Sequence, residues 1–269
     1  MGLAVSGLLQ EGALYVREAF VVLALGPWLH RLGQFRSLGV ALPTWSTWRS
    51  MLRRASLPWA DGVAESLFDR LLVLAAAAAG GERGAGMFFQ AYRLAGVPHQ
   101  LLHPLLGRMA LNWFSREEDA RARMRRRRQL VLLGAVPLGL AAAAAIVFAD
   151  PVVPVVFGER WRPVVPILGA LSGFILFNTL FATHKNYGFA TNGIKVLLAA
   201  RVLQYAGLGV ALLPLLLGHE VDVALVGVGV SFAFGLALLT TAIGFGLTDR
   251  RERSASESSN LGEAPGNEI

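Results

Sequence analysis

Long apolar stretches, separated by short polar ones, make up most of the chain. A helix needs about 20 apolar residues to cross the roughly 30 Å of hydrocarbon in a bilayer. The clearest candidates contain no charge: Leu130–Phe148, Pro163–Thr183, Val202–Gly218 and Val223–Thr248. Three more candidates carry charged residues inside them or near their start: Ala13–His30, Leu57–Gly80 and Ala85–Phe114. The pattern therefore predicts an all-α, polytopic membrane helix bundle of about seven transmembrane helices.

The polar segments divide the chain into four parts. Residues 1–30 contain the weakest of the predicted transmembrane helices, because Arg17 and Glu18 lie near its start. Residues 31–56 form a basic cytoplasmic linker with arginines beside Trp45 and Trp48, a mixture typical of headgroup depth. Six predicted helices joined by short loops make residues 57–248 a six-helix lobe. Residues 249–269 are rich in Ser, Glu, Asn and Gly, which predicts a disordered tail.

Composition agrees with a membrane environment and excludes several classes of site. Of the 269 residues, 54% are hydrophobic and 16% are charged, against roughly 25% charged in soluble domains. The net charge of +7 comes from arginines that flank apolar stretches, which indicates membrane topology rather than nucleic-acid binding. The absence of cysteine excludes disulfides, thiolate metal sites and thiol catalysis. No motif indicates a cofactor, a bound metal or a catalytic residue.

The distribution of Lys and Arg between alternate loops predicts the orientation in the membrane. The loops of one side, together with the tail, carry seventeen of these residues, whereas the loops of the other side carry three. Positive charge accumulates on the cytoplasmic side. We therefore expect the run Arg125–Arg128 and the C-terminal tail in the cytoplasm, and the loop that contains Trp161 on the outer side.

Charged residues inside the predicted helices are candidates for function, because each one costs roughly 2.5–3.5 kcal/mol on insertion scales. Asp61, Glu65 and Asp69 recur every four residues and so share one helix face. This acidic stripe predicts either a site for ion or proton coupling or a set of structural pairs with arginines.

Two histidine-containing segments favour structural roles. His99 and His103 share a helix face, but no third ligand follows at a usable spacing. The neighbouring Pro98 and Pro104 favour a kink at this point over a metal site. The segment 184–186 falls in a predicted cytoplasmic loop, where a solvated polar turn is expected.

The segment Pro154–Ser172, with Phe-Gly-Glu-Arg-Trp at 157–161 before an apolar helix, resembles a known family. This is the polysaccharide biosynthesis, or O-antigen flippase, family of the multidrug, oligosaccharidyl-lipid and polysaccharide exporter superfamily. Weaker similarity lies at residues 57–70, 112–116 and 226–230. The resemblance covers roughly residues 40–248 and corresponds to the C-terminal lobe of the family.

The resemblance implies a membrane transporter that flips a lipid-linked oligosaccharide for O-antigen, capsule or exopolysaccharide across a bacterial inner membrane. Its partners would be membrane lipid and the lipid-linked oligosaccharide. The substrate of that family carries a pyrophosphate, and arginine suits phosphate oxygens through its fork of donors. The candidate pyrophosphate-binding residues are Arg70, Arg93, Arg108 and Arg201.

The resemblance also leaves alternatives open. Members of the family resemble two six-helix lobes, so this chain would be an N-terminally truncated or half-length member. It would then work with a missing N-terminal lobe or with other membrane proteins of polysaccharide assembly. The other functions are a non-transporting scaffold or relic, an O-antigen polymerase or membrane glycosyltransferase, and a drug exporter. Because no long outward loop of the kind expected of those enzymes is present, we expect a protein that is not an enzyme.

Overall fold

A computed structural model describes residues 44–117 and 119–262. Every regular element within these residues is a helix. The chain divides into two compact units, residues 1–56 and 57–269. The second unit begins at the residue where the sequence places the start of the six-helix lobe, and it contains all the contacts described below.

The first helix, α1 (Trp45–Arg116), is interrupted by a sharp reversal. Gly80 (φ −140°, ψ 18°) and Gly81 (φ 63°, ψ −162°) leave helical geometry. The Tyr92 hydroxyl donates a hydrogen bond of 2.9 Å to Asp69, 23 residues earlier in the chain. Such a contact requires the helix to fold back on itself at the two glycines. We call residues 57–79 the first arm of this hairpin and residues 82–116 the second arm.

Glycine is required at the reversal for two reasons. The φ and ψ of Gly81 lie in a region that is accessible almost only to glycine. At Gly80 an added Cβ would collide with the side chain of Val223. The turn is therefore fixed both by backbone conformation and by close packing against the last helix.

Gly81→Ala is expected to destabilise the protein by about 1–3 kcal/mol, because alanine strains the backbone at this φ and ψ. Unfolding of the purified protein in detergent would measure the loss. Gly86→Ala is the matched control, since Gly86 lies within the second arm and a Cβ there meets nothing within 4 Å. Equal stability of the two variants would contradict the role assigned to Gly81.

The remaining helices pack behind the hairpin and around one another. In chain order they are α2 (Ala120–Phe157), α3 (Val164–Ala170), α4 (Ser172–Ala190), α5 (Ile194–Ala211), α6 (Leu213–Leu216) and α7 (Val223–Gly262). The start of α2 is capped by Asp119, whose carboxylate accepts hydrogen bonds from the backbone amides of Arg121 and Ala122. The main hydrophobic core lies between both arms, α3, α4, α5 and α7, with Phe68, Phe174 and Phe234 at its centre.

The Phe-Gly-Glu-Arg-Trp motif forms the connection between α2 and α3. Gly158, with φ 92°, ends α2, and a single turn of 3-10 helix follows at Glu159–Trp161. The Trp161 ring packs against the core, while the Arg160 guanidinium lies 5.8 Å from that ring. The motif thus reverses the chain and anchors the loop by its tryptophan.

A bend of 42° separates α3 from α4. Ser231 of α7 bridges the bend, because its hydroxyl donates to the carbonyl of Ala170 at 2.7 Å and accepts from the amide of Phe174 at 3.1 Å. A polar side chain from a neighbouring helix is a common way to satisfy backbone groups freed by a break within a membrane.

Within the described residues, three helices are long and apolar enough to cross a membrane: Arg121–Phe157, Ile194–Ala211 and Val223–Arg250. The bent pair of α3 and α4 makes a fourth if it is one span. The predicted count of about seven is therefore not confirmed among the described residues. The two arms, which occupy the predicted positions 57–80 and 85–114, are not among these spans. The predicted helix Ala13–His30 lies outside the described residues.

The ends of the helices differ from the predicted boundaries in two places. Helix α7 continues to Gly262, past residue 249, where the sequence predicts a disordered tail to begin. Helix α4 continues to Ala190. Residues 184–186 are therefore helical, whereas the sequence predicts a loop there. This second difference places Lys185 inside the lobe.

Candidate functional site

Four charged side chains meet where the first arm, α4 and α5 come together. Arg201 of α5 donates from Nε to Asp61 at 2.5 Å and from Nη2 to Glu65 at 3.0 Å. Lys185 of α4 contacts the same two carboxylates, at 2.6 Å to Asp61 and 2.8 Å to Glu65. Each cation thus contacts both anions, and we call these four residues the charge cluster.

The charge cluster is held in place by its surroundings. The Arg201 side chain is 9% exposed, its Nη1 donates to the amide oxygen of Gln204 at 2.7 Å, and its guanidinium lies 5.3 Å from the Phe181 ring. On the first arm, the carbonyl of Ala64 accepts a hydrogen bond of 2.5 Å from the hydroxyl of Tyr205. With so many contacts the guanidinium has one orientation, directed at the first arm.

Asp69, the third residue of the predicted acidic stripe, has a different environment. Its Oδ1 accepts the hydrogen bond from Tyr92, so its partner is the second arm and not α4 or α5. The Tyr92 ring in turn stacks on Phe174 with 4.8 Å between ring centres. The stripe is therefore divided between an ionic part, Asp61 and Glu65, and a hydrogen-bonded part, Asp69.

Two adjoining cavities border these residues. One has a volume of about 280 Å³ and is lined by Asp61, Glu65, His99, His103, Asn178, Lys185 and Arg201, among others. The other, which we call the larger cavity, has a volume of about 390 Å³, and its walls include Asp69, Phe89, Tyr92, Arg93, Gln100 and Asn178. Glu65, His99, Asn178, Arg201 and Phe234 line both. The two cavities thus meet beside the charge cluster and form the candidate site.

The structure brings only some of the predicted arginines to this site. Arg201 is at its centre, and Arg93 is an exposed side chain that lines the larger cavity. Arg70 and Arg108 are exposed and line neither of the two cavities. Arg93 has no ion pair with any residue in the described part of the chain, so it is the cation most available to a ligand.

Lys185 is absent from the predicted site residues although it contacts both acidic residues of the charge cluster. The sequence prediction ends the helix at Thr183 and leaves Lys185 in a loop. An unbroken helical spacing from Ser172 through Ala190 is a signal that could have extended the helix. The local sequence could not have predicted that Lys185 lies beside Asp61, because the two residues are 124 positions apart in the chain.

The two histidines of the second arm face the smaller cavity. Their rings stack with 4.7 Å between centres, and His99 Nδ1 lies 2.9 Å from the hydroxyl of Thr179. The hydrogen bond to Thr179 ties the second arm to α4. Their observed contacts are therefore with each other and with α4.

A third cavity, of about 1210 Å³, lies apart from the candidate site, between the first arm, α5 and the loop 218–222. Its helical walls are mostly Leu and Ala, and polar groups are confined to the loop at one end and Tyr205. Apolar walls of this kind suit the hydrocarbon chains of surrounding lipid. The charged and amide groups lie around the two smaller cavities, which is why we place the candidate site there.

A second group of buried charged and polar side chains connects α2, α4 and α7. Arg127 of α2 and Asp249 of α7 form an ion pair of 2.9 Å with side chains that are 8% and 7% exposed. The Tyr187 hydroxyl donates to Asp249 at 2.7 Å, and the Arg127 guanidinium lies 4.5 Å from the Tyr187 ring. This group ties α2, α4 and α7 together away from both cavities.

Comparison with known proteins adds a family to this geometry. The family model described as polysaccharide biosynthesis protein matches residues 42–166. This match supports the polysaccharide biosynthesis family that the sequence predicts. The matched segment contains both arms, α2 and the start of α3, and with them Asp61, Glu65, Asp69 and Arg93, whereas Lys185 and Arg201 lie beyond it. No curated protein and no solved structure matches the chain.

The family match and the apolar helices together indicate a membrane protein with a part in polysaccharide biosynthesis. Within such a protein, charged side chains in the bundle interior pair with one another and mark a pathway or a binding site. The chemistry available at the site is therefore binding by hydrogen bonds and charge.

Proposed function

We propose that the protein is a transporter, a flippase or exporter, of a lipid-linked oligosaccharide in surface polysaccharide biosynthesis. The observation that carries the proposal is the charge cluster beside two adjoining cavities, inside helices of a membrane protein whose residues 42–166 match a polysaccharide biosynthesis family. A cavity lined by charges at membrane depth is what a polar headgroup needs when it crosses a bilayer.

The roles of the charged residues differ in this proposal. Arg93 binds a phosphate oxygen of the substrate, since it is exposed to the larger cavity and pairs with no carboxylate in the described residues. Arg201 and Lys185 are occupied by Asp61 and Glu65, so they reach a phosphate only after those pairs open. If the substrate anion replaced Asp61 and Glu65 as the partner of Arg201 and Lys185, substrate binding would be coupled to movement of the first arm against α4 and α5. Protonation of either carboxylate would favour the exchange.

The protein is placed, in this proposal, in a bacterial inner membrane with its C-terminal end in the cytoplasm. Its partners are the lipid-linked oligosaccharide and the surrounding lipid. A second lobe, or other membrane proteins of polysaccharide assembly, would close the cavities on the remaining side. The activity is transport and not catalysis.

Arg93→Ala is expected to abolish glycan export with little effect on folding, because the variant loses a cation at the cavity and breaks no ion pair. The assay deletes the gene in its own host, restores it as wild type or variant, and measures surface polysaccharide together with lipid-linked oligosaccharide in the membrane. The expected result is a loss of surface glycan of at least about tenfold, equivalent to 1.4 kcal/mol, and accumulation of the lipid-linked precursor.

Arg160→Ala is the matched control, since Arg160 is an exposed arginine that stacks on Trp161 and has no ion pair among the described residues. It should restore export fully. Export that is normal in Arg93→Ala at wild-type membrane abundance would argue against the proposed binding role. A deletion that leaves glycan export intact would reject the transporter itself.

A non-transporting scaffold is the second candidate. The scaffold is favoured because the two cations and two anions of the charge cluster neutralise one another. These contacts also hold the first arm, α4 and α5 together. A scaffold requires the cluster only for stability. Arg93→Ala and wild type would then restore surface polysaccharide equally, while loss of the whole chain would still reduce it.

A further inference from the structure

The larger cavity is lined by two side-chain amides that have no hydrogen-bond partner among the described residues. The amides of Gln100 on the second arm and Asn178 on α4 both line it, and neither forms a hydrogen bond with another residue in the ranges that the structure describes. Neither amide is among the fully buried groups that lack a partner, so both are accessible from the cavity. Each amide offers one acceptor and two donor hydrogens.

The ionic groups around the cavity nearly cancel one another. Asp61 and Glu65 are matched by Lys185 and Arg201 within the charge cluster. On the rim of the larger cavity, Asp69 and Arg93 add one charge of each sign. Arg93 pairs with no carboxylate in the described residues, so an anionic group fits beside it; along the remaining walls a neutral polar group leaves the paired charges undisturbed.

An aromatic surface forms another wall of the same cavity. The Phe89 side chain lines it and is 55% exposed. Tyr92 and Phe174, which also line the cavity, stack on each other. Aromatic faces carry partial negative charge and attract the weakly positive C–H groups of a ligand. A wall of this type beside amides and a carboxylate suits a ring with hydroxyl groups at its edge and C–H groups on its face.

We propose that the larger cavity is a subsite for one neutral sugar ring of the lipid-linked glycan, next to the phosphate position at Arg93. Gln100, Asn178 and Asp69 bind the hydroxyl groups, and Phe89 contacts the face of the ring. The volume of about 390 Å³ lies within the roughly 300–1,000 Å³ typical of ligand sites. The inference rests on the proposed transport function and deepens it by assigning the sugar and the phosphate to different side chains.

Binding of matched probes to the purified full chain in lipid nanodiscs tests this assignment. The probes are a polyprenyl pyrophosphate without sugar and the same lipid carrying a single glucose or a single N-acetylglucosamine. Wild type is expected to bind at least one sugar-bearing probe about tenfold more tightly than the bare lipid, as two or three well-made hydrogen bonds allow. Gln100→Leu combined with Asn178→Leu should reduce that ratio to about one and leave affinity for the bare lipid unchanged.

Three further variants separate the sugar subsite from other effects. Arg93→Ala should weaken binding of all probes to the same degree, because every probe carries the pyrophosphate. Gln90→Leu is the control for loss of an amide, since Gln90 lines neither cavity, and it should keep the wild-type ratio. Gln100→Leu alone, at an exposed position that folding does not depend on, should lower the ratio partway.

The possible failures can be told apart. Equal binding of bare and sugar-bearing probes by wild type, or a ratio that the double variant does not change, would overturn the sugar subsite and leave transport intact. Failure of wild type to bind any of the probes would overturn the proposed function, and the subsite with it.

Discussion

Asp249→Ala is expected to lower the free energy of unfolding by about 3–5 kcal/mol, the usual cost of removing one partner from a buried ion pair. The variant leaves the Arg127 guanidinium beside two aromatic rings with no carboxylate, and it removes the acceptor of the Tyr187 hydroxyl. Unfolding of the purified protein in mixed micelles, followed by circular dichroism, measures the change.

The matched control is Glu159→Ala, which breaks an arginine–carboxylate pair whose side chains are 58% and 74% exposed. Exposed pairs contribute about 0–1 kcal/mol, so this variant should stay close to wild type. If Asp249→Ala cost no more than Glu159→Ala, the Arg127–Asp249 pair would not hold α2, α4 and α7 together as the structure indicates.

The second large effect is expected within the charge cluster, as a coupling between Asp61 and Arg201. Arg201→Leu leaves two carboxylates with Lys185 alone and also takes the partner from Gln204, so we expect a loss of about 3–5 kcal/mol. Asp61→Leu should cost a similar amount. The double variant should cost less than the sum by about 1–3 kcal/mol, because it removes both ends of one contact.

A second double-mutant cycle on Arg126 and Glu117 provides the comparison, since that pair lies at 2.9 Å with side chains 38% and 20% exposed. Its coupling should fall near 0.2–1 kcal/mol. If the coupling between Asp61 and Arg201 were no larger than that between Arg126 and Glu117, the result would contradict the geometry of the charge cluster.

The all-helical architecture could be predicted from the sequence because apolar length and loop charge are local signals. Within the described residues, the predicted helices agree with the structure in the middle of each segment. The ends do not, and α4 shows why: Lys185 interrupts the apolar run but not the helix, because its ammonium group is neutralised by carboxylates of another segment. Tertiary pairing of this kind has no signature in the local sequence.

The candidate site was predictable in its chemistry but not in its pairing. The four-residue spacing of the acidic stripe predicts a shared face, and Asp61 and Glu65 do meet the same cations. The choice of partners depends on how the hairpin, α4 and α5 pack, and periodicity carries no such information. Arg201 pairs with two residues of the acidic stripe, and pairing of the stripe with arginines is one of the two alternatives that the sequence leaves open. Gln100 and Asn178 gave no signal at all.

The long sequence separation within the charge cluster bears on how the protein is made. Lys185 and Arg201 contact Glu65 across 120 and 136 residues, so the ribosome completes the first arm well before either cation exists. At roughly 5–20 residues per second, the acidic residues wait many seconds for their partners. During that interval the first arm is poorly suited to hydrocarbon, and it must remain beside the translocon or at the membrane surface. Insertion of the hairpin is then expected to be completed only when α5 emerges, so that insertion and assembly of the bundle are coupled.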